Sequence, residues 1–251
     1  NLSIPGTYEI NQSTKNSEKV QLFYIEPELQ VLSTQAHPRA VYMVDTTGNK
    51  SKFLLKGNED LRLDQRIMQF FKLINSLLST NRNTNELGSS ISQYAVVPFA
   101  PNAGLISWVT GSDTLQVLVS EYRSHRHIRK NIEMDIITQF CGSIYNHLMS
   151  VQRHEVFQEV AAKTTAGEIR EMLWLRSPSP SQWVLRNKNY TISTALMSMA
   201  GYTIGLGDRH PNNIMIQKHT GRVIHIDFGD SFEVAINRRT YKERVPFRLT
   251  R

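Results

Sequence analysis

The stretch Gly205-Leu206-Gly207-Asp208-Arg209-His210-Pro211-Asn212-Asn213, followed by His225-Ile226-Asp227-Phe228-Gly229-Asp230, decides how this chain is read. The first segment puts a carboxylate, an imidazole and a carboxamide on one short loop. Between the two segments, Ile214-Met215-Ile216 and Val223-Ile224-His225-Ile226 flank Lys218-His219-Thr220-Gly221, the pattern of a hairpin. That hairpin returns Asp227 toward Asn213. Oxygen ligands such as Asn213 and Asp227 suit a divalent metal held against phosphate oxygens. Asp208 and His210 suit the orientation of an attacking hydroxyl and the handling of its proton. A polar turn and a capped strand would explain any one of these residues, but not all of them together. The set predicts phosphoryl transfer.

Working outward, the 251 residues are 40% hydrophobic and 20% charged, the profile of a soluble globular chain near the size at which one core splits into two. No run approaches the ~18 consecutive apolar residues of a membrane span. The start, Asn1-Leu2-Ser3-Ile4-Pro5, shows no signal peptide and reads as cut from a longer chain. The single Cys141 excludes an internal disulfide framework and fits a reducing compartment. A cytoplasmic location is expected, with endomembrane surfaces and a nuclear fraction compatible with it. The net charge of +7 favours anionic ligands without choosing among them. The densest basic segment, residues 123–130, reads as a solvated helix end. It lacks the interleaved aromatics of a single-strand platform, so no direct nucleic-acid contact is expected.

The first half reads as strands at residues 20–25, 29–32, 40–44 and 52–55, with a hairpin at Thr46-Thr47-Gly48-Asn49. A helix is predicted over 59–78, then a polar loop over 81–90 and strands at 94–99 and 105–109. From Asp113 the periodicity is helical, with helices at 132–149, 155–162 and 167–174. A break at Ser177-Pro178-Ser179-Pro180 precedes a long helix over 181–204 that ends at Gly205. Met197, Met199 and Tyr202 on that helix read as core. A strand-rich half is thus joined near residues 106–111 to a helical half carrying the polar loop, and a cleft between halves is a usual ligand site.

Neither common phosphate-loop signature is present, and Asp208-Arg209-His210 reverses the His-Arg-Asp order of ordinary protein kinases. Lys56 ends a strand within Phe53-Leu54-Leu55-Lys56-Gly57, where it can neutralise nucleotide phosphates. Asp60 and Asp64 follow one turn apart, a spacing that allows both carboxylates to face that lysine.

These residues resemble the catalytic domain of the phosphatidylinositol 3-kinase-related protein kinases, most of all its target-of-rapamycin (TOR) branch. The resemblance rests on residues 31–39 (VLSTQAHPR), 53–62 (FLLKGNEDLR), 93–98 (QYAVVP), 104–109 (GLISWV), 173–179 (LWLRSPS), 197–202 (MSMAGY), 205–213 and 225–235 (HIDFGDSFEVA). It implies an α+β, bilobal, PI3K/PI4K-type kinase fold. An antiparallel-sheet N-lobe would span 1–106, a hinge 107–111, and a mainly helical, truncated C-lobe 112–251, with the catalytic loop at 205–213 and the activation segment beginning within 227–251. The implied cofactors are ATP and Mg2+, or Mn2+ in its place. The implied activity is serine/threonine protein phosphorylation by a nutrient-responsive regulator of growth. Its partners would be protein substrates and a large TOR-type complex, with membrane association only through those partners.

By the same resemblance, Lys56 contacts ATP phosphates with Asp64 as its partner, and Ser33 and Thr34 lie on the phosphate-covering loop. Tyr94, Ile106, Trp108, Val109, Met215 and Ile226 line the adenine pocket. Asp208 orients or deprotonates the substrate hydroxyl with His210 assisting, and Asn213 and Asp227 bind the metal. The chain departs from the usual TOR pattern at Asn58, Leu63, Gln65 and Gln35-Ala36. A lipid kinase shares the fold and the Asp-Arg-His loop. Against it, residues 237–247 are only moderately basic and are interrupted by Glu243, without the lysine run that headgroup phosphates favour. A DNA-damage kinase would use the same chemistry, and a dead scaffold would lack Lys56, Asp208, Asn213 or Asp227.

Overall fold

In a computed structural model, residues 2–6, 20–33, 37–232, 234–238, 243 and 248 are described. In the N-lobe these contain β1 (Leu22–Ile25), β2 (Gln30–Val31), β3 (Arg39–Asp45), β4 (Lys50–Gly57), α1 (Arg62–Thr80), α2 (Arg82–Glu86), β5 (Val96–Ala100) and β6 (Ala103–Ser107). The strands pair antiparallel in the order β1-β3-β4-β6-β5, with β2 on β3. Asp45 closes the β3–β4 hairpin: its Oδ1 accepts from the Thr47 and Asn49 amides at 2.8 and 2.9 Å, and Gly48 takes φ 86°. Pro98 cannot donate to a sheet ladder, and it sits on β5, which among the described residues pairs only with β6. One face of the sheet buries Val41, Met43, Phe53 and Leu105 around Ile4.

The second half holds β7 (Ser112–Thr114), α3 (Leu115–His125), α4 (Ile132–Cys141), a 3-10 segment (Gly142–His147), α5 (Ser150–Lys163), α6 (Glu168–Leu175), α7 (Pro180–Thr203), β8 (Ile214–Gln217), β9 (Val223–His225) and α8 (Val234–Asn237). Strands β7, β8 and β9 form a small antiparallel sheet under α3, α6 and α7, around Leu115, Leu118, Met172, Leu173, Ile214 and Ile216. Helix α7 starts as the sequence dictates. The Ser179 hydroxyl accepts from the Gln182 amide at 3.3 Å, and Pro180 takes a first-turn position that needs no amide partner. Among the described residues, no helix is long and apolar enough to cross a membrane.

A third cluster joins the halves. Leu61, Ile67, Met68 and Phe71 of the α1 region meet Tyr94 and Val96 from one side and Met197, Ile204, Leu206, Ile224 and Phe228 from the other. The Phe71 ring packs edge-on against Phe228, with centroids 5.6 Å apart. At the back, the Arg222 guanidinium donates to the Gly88 carbonyl at 3.0 Å and to the Ser90 hydroxyl, a polar strap between the halves.

Several expectations are corrected. The loop over 81–90 contains α2, because the Asn81 side chain accepts from the amides of Asn83 and Thr84. Residues 112–114 form β7 against β8 before the helix begins. The helix expected over 132–149 ends at Cys141, where Gly142 takes φ 54°. Met197 is core, but Met199 and Tyr202 are 65% and 61% exposed, on the outer face of α7. Arg123 is not a solvated end. It is buried, donating to Glu168 at 3.0 Å and pairing with Glu133.

Candidate active site

The C-lobe wall of the cleft begins where α7 stops. Ile204 caps the helix and Gly205 turns the chain with φ 56°. Residues 207–213 then cross beneath the strand end that leads to Asp227. One side chain joins the two segments. Arg209, 5% exposed, donates Nε to the Gly207 carbonyl at 2.8 Å and Nη1 to those of Ile226 at 2.9 Å and Asn213 at 3.4 Å. Its Nη2 donates to the Asp227 carbonyl. Burial holds the guanidinium below its usual range, while the charges of Asp227 and Asp208 pull it back up. The Ile226 amide donates to the Asn213 carbonyl at 3.1 Å, and the Gly207 amide to the Asp230 carbonyl at 2.9 Å. The loop and the Asp227 segment are therefore one hydrogen-bonded unit.

Within that unit Asn213 is buried, and its Nδ2 donates to the Asp208 carbonyl at 3.0 Å and lies 3.4 Å from Asp208 Oδ2. This leaves its Oδ1 as the acceptor. Asp227 is exposed, with Oδ1 3.4 Å from the Gly229 amide. Both Asp208 and Asp227 hold left-handed backbone, φ 56° and 60°, which non-glycine residues rarely adopt and which functional sites often retain. His210 Nδ1 accepts from the Asn212 amide at 3.2 Å, so a neutral ring carries its proton on Nε2, 3.8 Å from Asp208 Oδ2. The neighbouring His225 is pushed down to about 3 by burial and by the charge of Arg209, and stays neutral.

The N-lobe wall supplies Lys56 from the end of β4. Its Nζ pairs with Glu59 at 2.7 Å. This corrects the expectation for Asp60, which turns outward, held by Arg62 at 2.6 Å. The first turn of α1 begins only at Arg62, leaving Glu59 on the tighter turn nearest the strand as the hydrogen-bonded neighbour of Lys56. Asp64, partnered with Lys56 through its charge, lies 8% exposed against the far wall, where it accepts from the Phe228 amide. Its carboxyl is pushed up to about 6, by burial first and then by the Asp227 charge, with Lys56 and the Phe228 amide acting in the opposite direction. Those partners place Asp64 between Lys56 and Asp227, the point where the two walls meet.

Of the six apolar candidates, Tyr94, Ile106, Val109, Met215 and Ile226 all belong to the cluster that joins the lobes. Burial, with Asp64 and Asp227 nearby, pushes the Tyr94 phenol upward. Trp108 lies outside that cluster, at the hinge, with the Lys52 ammonium 3.7 Å from its ring centroid. Ser33 is exposed beyond β2, and Thr34 lies outside the described residues. Glu59, Arg209 and Glu243 are site residues to which the sequence assigns no role, while Arg238, whose position suits solvated loop charge and substrate contact equally, faces Asp208. For Glu59 the signal was its position three residues after Lys56. For Arg209 it was a cation lodged between an aspartate and a histidine.

The donor set also bears on a metal. Among the described residues no group of three or more His, Cys, Asp or Glu side chains could hold a cation by itself. Asn213 Oδ1 and the Asp227 carboxylate, carried on two segments that Arg209 binds together, are of the type that fits a hard divalent ion whose remaining ligands would be phosphate oxygens and water.

A lysine from a sheet lobe facing an acidic loop pair on a helical lobe defines a bilobal, kinase-type fold. The family model described as "Phosphatidylinositol 3- and 4-kinase" matches residues 50–251. The chain belongs to this family. It is 44% identical over 250 residues to "Serine/threonine-protein kinase TOR" of Oryza sativa subsp. japonica and 42% identical to "Serine/threonine-protein kinase mTor" of Drosophila melanogaster, in each case covering 100% of this chain and 10% of the relative. The solved structure titled "Complete CtTel1 dimer with C2 symmetry" superposes with a TM-score of 0.85 at 29% identity, over 98% of this chain and 9% of that one. The chain thus spans about a tenth of the length of these relatives. Kinases of this family use ATP and a divalent metal.

Proposed function

We propose that this domain transfers the γ-phosphate of ATP to serine or threonine hydroxyls of proteins, as the catalytic core of a TOR-type kinase. The observation that carries the reading is the Arg209 staple. It fixes Asp208, Asn213 and Asp227 on one unit, opposite the Lys56 end of the N-lobe. Similarity to relatives named as serine/threonine-protein kinases supports protein over lipid as the acceptor.

In this reading Lys56, steadied by Glu59, neutralises ATP phosphate oxygens. The adenine lies against Ile106, Trp108, Val109, Met215, Ile226 and the buried Tyr94 behind them, and Ser33 lies over the phosphates. Asn213 and Asp227 would hold Mg2+, or Mn2+ in its place, and such a cation would supply electrostatic stabilisation of the phosphoryl oxygens, the largest source of stabilisation in such reactions. The Asp208 carboxylate accepts a hydrogen bond from the substrate hydroxyl and aligns its oxygen with the γ-phosphorus; as the new P–O bond forms, the bond from the γ-phosphorus to the β–γ bridging oxygen breaks, ADP leaves with that electron pair, and the hydroxyl proton passes to Asp208. His210 Nε2 faces the same carboxylate and steadies its charge. Phe228, sealed against Phe71, keeps the Asp227 segment from moving away.

The test offers the full-length protein a mixed serine/threonine peptide library and phosphatidylinositol vesicles side by side, with labelled ATP and Mg2+. Label in peptide is expected. Label in lipid alone would make the domain a lipid kinase, and label in neither, with no binding of Mg-ATP, would make it a scaffold.

A further inference from the structure

The segment beyond Asp230 folds back onto the catalytic loop through contacts that the proposed chemistry does not use. Helix α8 seats Ala235 on Gly207 so closely that any Cβ at Gly207 would collide with it. The Glu243 amide returns to the Ala235 carbonyl at 3.2 Å, closing the segment on itself. From that position both carboxylate oxygens of Glu243 accept the Asp208 amide, at 3.0 and 3.1 Å. Arg238 completes the arrangement. Its Nη1 lies 3.8 Å from Asp208 Oδ1 and 3.9 Å from Glu243 Oε1, and its Nη2 pairs with Asp230.

We infer that Arg238 and Glu243 are positioning residues for phosphoryl transfer, clamping Asp208 in its working orientation. This rests on the role proposed above for Asp208. Asp208 must hold an unfavourable left-handed backbone and point its carboxylate at an incoming hydroxyl. A charge-assisted bond to its amide offsets the first demand. The second is met from two sides, with Oδ1 facing Arg238 and Oδ2 facing His210 and Asn213. Arg238 is also the cation at the meeting point of three carboxylates, those of Asp208, Asp230 and Glu243. Without it they repel one another, and Asp208 swings away from the line of attack. The clamp touches neither Lys56 nor the apolar pocket, so it acts on the acceptor side of the reaction and not on ATP.

The test compares Arg238→Gln, Arg238→Lys and Glu243→Gln with the wild type and Asp208→Ala in the full-length protein, measuring kcat and KM for ATP with a peptide acceptor. Displacing a reacting group by an ångström costs on the order of 100-fold. Arg238→Gln is therefore expected to lose roughly 10- to 100-fold in kcat with KM for ATP within about twofold, a loss confined to the transition state. Glu243→Gln should lose less, since its amide oxygen still accepts. Arg238→Lys should recover part of the loss by restoring the charge without the two-pronged geometry. Unchanged kcat in whichever of Arg238→Gln and Glu243→Gln folds would overturn the clamp. So would a KM for ATP that rises in step with the loss, or no recovery in Arg238→Lys. Retained activity in Asp208→Ala would instead remove the reading on which the clamp rests.

Discussion

The two walls of the cleft are built on opposite principles. The C-lobe wall is rigid. Arg209 is buried and spends its donors on four backbone carbonyls, those of Gly207, Asn213, Ile226 and Asp227, binding the loop backbone to the Asp227 segment. The N-lobe wall is adjustable. Lys56 is a single flexible ammonium at a strand end, held by one partly exposed carboxylate, Glu59. The difference teaches where the geometry has to be exact. The acceptor hydroxyl and the metal demand placement within fractions of an ångström. Phosphate charge can be met by a point cation that follows it. Asp64 stands between the walls, and its buried carboxyl registers both.

Removing the carboxylate of Asp208, as Asp208→Ala, should lower phosphoryl transfer by about 100- to 10,000-fold, the usual worth of a positioned base. The residue is part-exposed, so thermal unfolding should be nearly unchanged, and an unfolded variant would show instead that Asp208 holds the loop together. Arg209→Met keeps much of the volume but strands several buried carbonyls, each costing about 1–3 kcal/mol. Denaturant unfolding should show a large loss of stability. A loss below about 1 kcal/mol would show that the wall is rigid without its staple.

Asp64→Asn should act with opposite signs on stability and activity. The folded carboxyl sits at about 6, above its ordinary 3.8. A raised acid favours its neutral form, so holding the charge weakens the fold at pH above about 6 and costs nothing once pH falls below about 4. The asparagine variant should therefore melt higher than wild type at pH 7.5, by about 2–4 °C for each kcal/mol recovered. The gap should close on acidification while transfer falls. A gap that widens at low pH would contradict the burial of a charge there. The smallest effect is expected at Glu59→Gln. Its pair with Lys56 is partly solvated and worth about 1 kcal/mol or less, visible as a few-fold rise in KM for ATP with the melting point unmoved.

Much of this arrangement was legible because it is local. The hairpin at 46–49, the cap of α7 and the return of Asp227 toward Asn213 follow from turn residues and short alternating strands whose signals lie within a few positions. What escaped reading depends on distant partners. The polar residues Ser112–Thr114 carry no strand pattern and become β7 only because β8 lies beside them. Met199 and Tyr202 have core composition, and the facing of α7 that exposes them is set by what it packs against. Lys56 was expected to choose a helical carboxylate by spacing, but the helix starts at Arg62, leaving Glu59 in a turn where spacing rules for helices do not apply. Arg238 and Glu243 reach Asp208 across 30 and 35 residues, a distance no local pattern spans.

In the proposed reading, Lys56 from one wall and Asn213 with Asp227 from the other gather around one metal-bound triphosphate. Calorimetric titration of ATP into wild type and Asp227→Ala, each with and without Mg2+, separates these contributions. Mg2+ should tighten ATP binding to the wild type and do little for the variant, whose remaining affinity then comes from Lys56 and the apolar pocket. Equal tightening by Mg2+ in both proteins would show that Asp227 does not hold the metal.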